Sequence, residues 1–246
     1  MTVSRILSGV ATAAMLLAAQ PAWAQDADPF ADRRPTTEAV GVTMPADFAS
    51  IEWLNRHYAE RVTMFAHLPP MNGGVAFVGD SITDAGRWAD AWPGLTVRNF
   101  GIGGDTVWGL KARAHQVTAA RPERIFLLIG TNDLGRGRTP EQVADGVAEL
   151  LDVWADDLPE TAVFVQSVLP RQPEFHDRIT DLNGRLRDVA AAKGVTFVDI
   201  HSAFVVEGGR LDPAVTLDDL HLAGEGYARW RTLIDACVTG PGACAQ

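Results

Sequence analysis

Five short apolar runs, each followed by a stretch with helical spacing, restrict what this chain can fold into. They are Val75 to Gly79, Leu95 to Phe100, Arg124 to Ile129, Ala162 to Val168 and Val195 to Ile200. Runs of this length with little polar alternation are buried on both faces, which is the pattern of parallel strands. The segments between them place apolar residues three and four apart. Thr106 to Ala119 carries Val107, Leu110, Ala114 and Val117. Thr139 to Trp154 opens with a capping box of Thr139, Pro140 and Gln142. Asp177 to Ala192 carries Ile179, Leu182, Leu186 and Val189 and ends at Gly194. Strand and helix in alternation predict an α/β fold, a five-stranded parallel sheet with helices on both faces. Asp47 to His67 is an added amphipathic helix before the first strand, and Gly224 to Cys237 is the last one.

The chain ends bear on location. Met1 to Ala24 reads as a secretory signal peptide, with Arg5, an apolar stretch from Ile6 to Ala19 and an Ala22-Trp23-Ala24 cleavage site. That predicts a periplasmic or secreted protein. The apolar stretch is too short for a comfortable membrane span, so no stable membrane insertion is expected. Gln25 to Pro45 is polar and reads as an arm, leaving residues 46–246 as a single domain. The net charge of −10, with no Lys/Arg cluster, argues against nucleic acid and anionic membranes as partners. The only two cysteines, Cys237 and Cys244, flank a turn-rich spacer, and in an exported chain they favour a local disulfide. The six histidines are scattered, so no metal site is expected.

In a sheet of this kind the loops after the strands carry the chemistry. Four segments hold unusual residues: Gly79-Asp80-Ser81, the glycine loop Gly101 to Thr106, Gly130-Thr131-Asn132-Asp133, and Asp218-Asp219-Leu220-His221. Each alone has an ordinary explanation as a turn, a helix cap or a helix-start histidine. The glycine loop lacks the spacing of a dinucleotide fingerprint and has no phosphate-binding lysine. Together the four fit one reaction. Ser81 needs a base to become nucleophilic, and His221 is the candidate. The imidazole needs a carboxylate on its other nitrogen, for which Asp218 is the candidate and Asp219 the local rival. The Ser81 N–H, the Gly104 N–H and the Asn132 amide could stabilise an oxyanion.

These four blocks resemble, in order, those of the GDSL (or SGNH) hydrolase family, across about Val75 to Leu233. Ile82 stands where the family name has leucine. The resemblance implies a flavodoxin-like three-layer α/β/α sandwich and a serine esterase needing no cofactor. In it Ser81 is the nucleophile, Gly104 and Asn132 are oxyanion donors, His221 is the base and Asp218 its orienter. Asn99 to Thr106 is similar to the platelet-activating-factor acetylhydrolase branch. Gln166 to Pro170 and Gly208 to Leu211 are similar to exported bacterial carbohydrate O-acetylesterases. Both imply small acyl groups, mostly acetyl, on small-molecule or glycan esters. A lysophospholipase or thioesterase of longer chains is the alternative, and a silent glycan-binding protein the third reading. Asp84, Trp88 and Trp108 lie close after the first two blocks and are candidate substrate contacts, with core packing or a solvated face as the ordinary alternative.

Overall fold

The computed structural model describes residues 34–49 and 51–240. Helices α1 (Ala46–Ala49) and α2 (Glu52–Ala66) precede β1 (Val75–Gly79), α3 (Ser81–Asp84), α4 (Trp88–Ala91) and β2 (Val97–Gly101). Then come α5 (Val107–Ala112), α6 (Ala114–Ala120), β3 (Arg124–Leu128), α7 (Thr131–Gly135) and α8 (Pro140–Asp157). The chain closes with β4 (Ala162–Gln166), α9 (His176–Lys193), β5 (Thr196–Val198) and α10 (Gly224–Thr239).

The strand order is β2-β1-β3-β4-β5, and every neighbouring pair is parallel. This is the doubly wound flavodoxin-like order, in which the direction of strand addition reverses between β1 and β3. Alternation along the strands feeds two cores. Ala76, Val78, Ile125 and Leu127 pack with α2, α5, α6, α8 and α9 on one face. Val75, Phe77, Phe126 and Leu128 pack with α4 and α10 on the other. The result is three layers, as the alternation of runs predicts.

Several boundaries differ from the sequence reading, for identifiable reasons. The helix expected over Thr106 to Ala119 breaks at Arg113, which leaves helical geometry with φ −113°. Its fully buried guanidinium donates to Asp105, Gly79 O and Phe100 O, and those fixed acceptors set the backbone there. The capping box forms as expected: Thr139 Oγ1 accepts from Gln142 N–H while Gln142 Oε1 accepts from Thr139 N–H. The polar arm is not free over its whole length. Val42 is completely buried in the first core and Thr37 nearly so. Residues from Pro35 onward fall in the same compact unit as the sheet. The signal-peptide reading for Met1 to Ala24 and the pairing to Cys244 lie outside the described residues.

Candidate active site

Ser81, Gly104 and Asn132 all follow carboxyl ends of strands, and Ser81 and Asn132 follow β1 and β3, the two strands at the switch point. The turn that presents Ser81 is built for lack of space. A side chain on Gly79 would bring its Cβ to 2.1 Å from Leu128 O and 2.4 Å from Thr83 Oγ1. Asp80 then caps α3, its Oδ1 accepting from Ile82 N–H at 3.0 Å. Tyr227 Oη donates to Ile82 O at 2.7 Å, and Asn99 Nδ2 donates to Thr83 O, Asp84 O and Gly86 O. Ser81 thus starts a helix whose both ends are tied.

The segment before α10 brings in the partners. Ser81 Oγ lies 2.9 Å from His221 Nε2, and His221 Nδ1 lies 2.7 Å from Asp218 Oδ2. Asp218 Oδ1 also accepts from His221 N–H at 2.7 Å and Leu220 N–H at 3.1 Å. Burial works against ionisation of Asp218, but these hydrogen bonds outweigh it and hold its carboxyl down at about 2. The carboxylate accepts from Nδ1–H, so Nε2 faces Ser81 with its lone pair. Thr216 Oγ1 donates to His221 O at 2.7 Å and fastens the base of the loop. The rival Asp219 sits at φ +59° and points its carboxylate at Arg210, 2.9 Å away. Side-chain exposure of 43% for His221 and 52% for Asp218 leaves this end of the site open to solvent.

The donors converge from two loops. Gly104 has φ +75°, a left-handed conformation that glycine takes without the cost to Cβ. Its carbonyl accepts from Arg136 Nη2 at 2.9 Å, and its N–H has no acceptor among the described residues. Asn132 Nδ2 donates one hydrogen to Asp105 O at 2.9 Å, which fixes the amide plane and leaves its second hydrogen for a ligand. Beneath lie three fully buried acids. Asp105 pairs with buried Arg113. Asp133 accepts from Val107 N–H at 3.1 Å, joining the Asn132 loop to α5. Burial pushes the carboxyls of Asp80 and Asp133 up to about 7, against the opposing pull of their backbone hydrogen bonds.

The three expected substrate contacts all have partners within the protein. Trp88 is buried, stacked on Phe77 at 4.2 Å with its Nε1–H donated to Thr83 O, so it is part of the second core. Trp108 has the Arg138 guanidinium 4.2 Å over its ring and packs toward α8. Asp84 is already fully engaged. Its Oδ2 accepts from Gly103 N–H at 3.1 Å and faces His57 Nε2 at 3.0 Å, while Oδ1 pairs with Arg61 Nη2 at 3.1 Å. Asp84 therefore fixes the glycine loop next to Gly104 and anchors it to α2. Two residues that the sequence reading passed over flank the site. Trp53 on α2 is 58% exposed with its ring edge at Gly104, and Leu217, beside Asp218, is 96% exposed. Nothing in the local pattern marks either, because exposure is set by packing of distant segments. Among the described residues no cluster of His, Cys, Asp or Glu is placed to hold a metal ion.

Comparison with known proteins identifies the family. The GDSL-like lipase/acylhydrolase family model matches residues 77–229. Platelet-activating factor acetylhydrolase IB subunit alpha2 of Rattus norvegicus is 30% identical over 168 residues, covering 63% of this chain and 71% of that protein. A GDSL-like lipase from Bacteroides thetaiotaomicron superposes with TM-score 0.62 at 27% identity, covering 74% of this chain and 96% of the other. An acetyl-xylooligosaccharide esterase from Geobacillus shares the fold with TM-score 0.56 at 20% identity, covering 68% and 94% of the two chains. The strand order, the Gly79-Asp80-Ser81 turn and a match over most of the folded unit together place this chain in the GDSL-like lipase/acylhydrolase family, as an ester hydrolase.

Proposed function

We propose that this chain is an exported serine esterase that removes small acyl groups, acetyl foremost, from carbohydrate esters through an acyl-enzyme. The observation that carries the mechanism is the continuous line Ser81 Oγ, His221 Nε2, His221 Nδ1, Asp218 Oδ2, at 2.9 and 2.7 Å. His221 takes the Ser81 proton as Oγ forms its bond to the acyl carbon. The carbonyl electron pair moves to oxygen, where the Ser81 N–H, the Gly104 N–H and the free Asn132 amide hydrogen receive it. Collapse expels the alkoxide, which takes the proton back from His221. Water then repeats the sequence on the acyl-Ser81, releasing acid and free serine. Each oxyanion donor of this kind is worth about 10²–10³ in rate.

Two features support a small acyl group on a polar alcohol. The site is open at His221 and Asp218, which gives access to water and to an ester on a large glycan. The acetylhydrolase relatives act on acetyl groups by name. Periplasmic or secreted placement rests on the N-terminal sequence signature. The test is acetate release from acetylated xylan, with p-nitrophenyl acetate, butyrate and octanoate in parallel, for the wild type and Ser81→Ala. Acetate release lost in Ser81→Ala is the expected result. A rate rising toward octanoate would move the substrate to longer acyl chains.

A further inference from the structure

We infer that Trp53 and His57, one turn apart on α2, form a subsite beside the oxyanion donors that takes the hydroxylated ring of the ester's alcohol. This rests on the esterase reading above and names residues for its leaving-group side. Residues at i and i+4 of a helix share a face, and both side chains meet the glycine loop. A Cβ built at Gly104 would lie 3.5 Å from Trp53 Cη2, and one at Gly103 would lie 3.1 Å from His57 Nε2. The Trp53 ring edge is therefore within about 6 Å of the Gly104 nitrogen. An oxyanion held by that N–H lies within about 9 Å of the ring. One sugar ring, joined through the ester oxygen, spans that gap.

The surroundings fit a pyranose better than an alkyl chain. The other large apolar side chains of the α2 inner face, Leu54, Tyr58, Val62 and Phe65, are buried, whereas Trp53 keeps 58% of its surface in solvent. An indole face left open at a polar rim is a stacking surface for the apolar face of a sugar. His57 supplies the polar half. Its Nε2 is turned to the glycine loop, 3.0 Å from Asp84 Oδ2 and 3.2 Å from the Gly103 nitrogen. That leaves Nδ1 as the ring nitrogen open to a ligand. It has no protein partner among the described residues and is not a sealed-in atom, since the His57 side chain is 33% exposed. A ring nitrogen one helical turn from a stacking ring suits a hydroxyl, which can donate or accept and which an acetyl group lacks.

The experiment compares acetylated xylo-oligosaccharides and O-acetylated glucose with vinyl acetate, whose alcohol carries no ring, for the wild type, Trp53→Ala, Trp53→Phe and Ser81→Ala. The expected result is a fall of about tenfold in the ratio of kcat/KM for sugar ester to kcat/KM for vinyl acetate in Trp53→Ala. The change should sit mainly in KM for the sugar ester, with part recovered in Trp53→Phe. Deacetylated xylo-oligosaccharide should inhibit vinyl acetate hydrolysis by the wild type competitively, and more weakly in Trp53→Ala. A ratio unchanged within twofold in Trp53→Ala overturns the subsite. So does a wild type that hydrolyses vinyl acetate but neither sugar ester, with the esterase reading left standing. Wild-type turnover in Ser81→Ala would instead overturn the esterase reading itself.

Discussion

Replacing Asp84 tests whether the glycine loop must be held for catalysis. In Asp84→Ala, Gly103 N–H loses its carboxylate acceptor at 3.1 Å, and His57 and Arg61 lose theirs at 3.0 and 3.1 Å. Arg61 keeps its bonds to Gly101 O at 3.0 and 3.3 Å, so it is not left bare. The main debt is the lost carboxylate bond of Gly103 N–H, which keeps only His57 Nε2 at 3.2 Å, and the lost Arg61 pair, together about 1–2 kcal/mol at a site of 21% exposure. For a chain of this size that lowers Tm by about 2–8 °C. The catalytic cost has an upper bound, the loss of one oxyanion donor, about 10²–10³. The loop keeps Ile102 N–H on Gly79 O and Gly104 O on Arg136, so the fall should stop short of that bound. We expect kcat for p-nitrophenyl acetate to fall about 10- to 100-fold, some 1.4–2.7 kcal/mol, with KM within threefold. Asp84→Asn keeps an acceptor for Gly103 N–H and should recover part of kcat. A kcat within twofold of wild type in Asp84→Ala, at temperatures where the variant is folded, would refute the reasoning.

Other outcomes follow from the same contacts. Asn132→Ala removes a donor whose orientation is set by Asp105 O and should lower kcat about 10²–10³-fold with little change in Tm, read by steady-state kinetics and thermal melts. Trp88→Ala removes a buried ring stacked on Phe77 and should cost about 3–5 kcal/mol of stability in urea unfolding; unchanged stability with altered ester preference would return Trp88 to the substrate. Asp80 and Asp133 titrate near 7 when folded and near 3.9 when unfolded, so the folded state binds more protons between about pH 4 and 7. Stability should fall as pH rises through that window, with Tm higher at pH 5 than at pH 8. Below about pH 4 the lowered carboxyl of Asp218 reverses the trend. A Tm that rises from pH 5 to pH 8 would contradict the burial of the two acids.

The sheet was legible because strands buried on both faces write themselves as continuous apolar runs, and loops with spare polar residues stood at three of their ends and before the last helix. Ser81, His221 and Asp218 meet as the motif spacing suggests. The sequence already favours Asp218 over Asp219, and the backbone adds the reason the rival is out of reach, since the left-handed conformation of Asp219 turns its carboxylate to Arg210. Whether an aromatic faces solvent or core is decided by residues far away in sequence. Trp88 meets Phe77 and Trp230 across the second core, while Trp53 finds only a glycine loop. The break at Arg113 was hidden for the same reason, because its acceptors come from three other segments. Val42 is buried in the first core with Val40 and Met44 packed against it, so a few apolar residues seat an otherwise polar stretch.

The most direct test of the central claim is mass spectrometry of the protein quenched during turnover of p-nitrophenyl acetate at low pH, followed by peptide mapping. The account predicts one added acetyl group, located on Ser81, that disappears on further incubation and never forms in Ser81→Ala. An acetyl group on another residue, or turnover with Ser81 unmodified under all quench conditions, would contradict it.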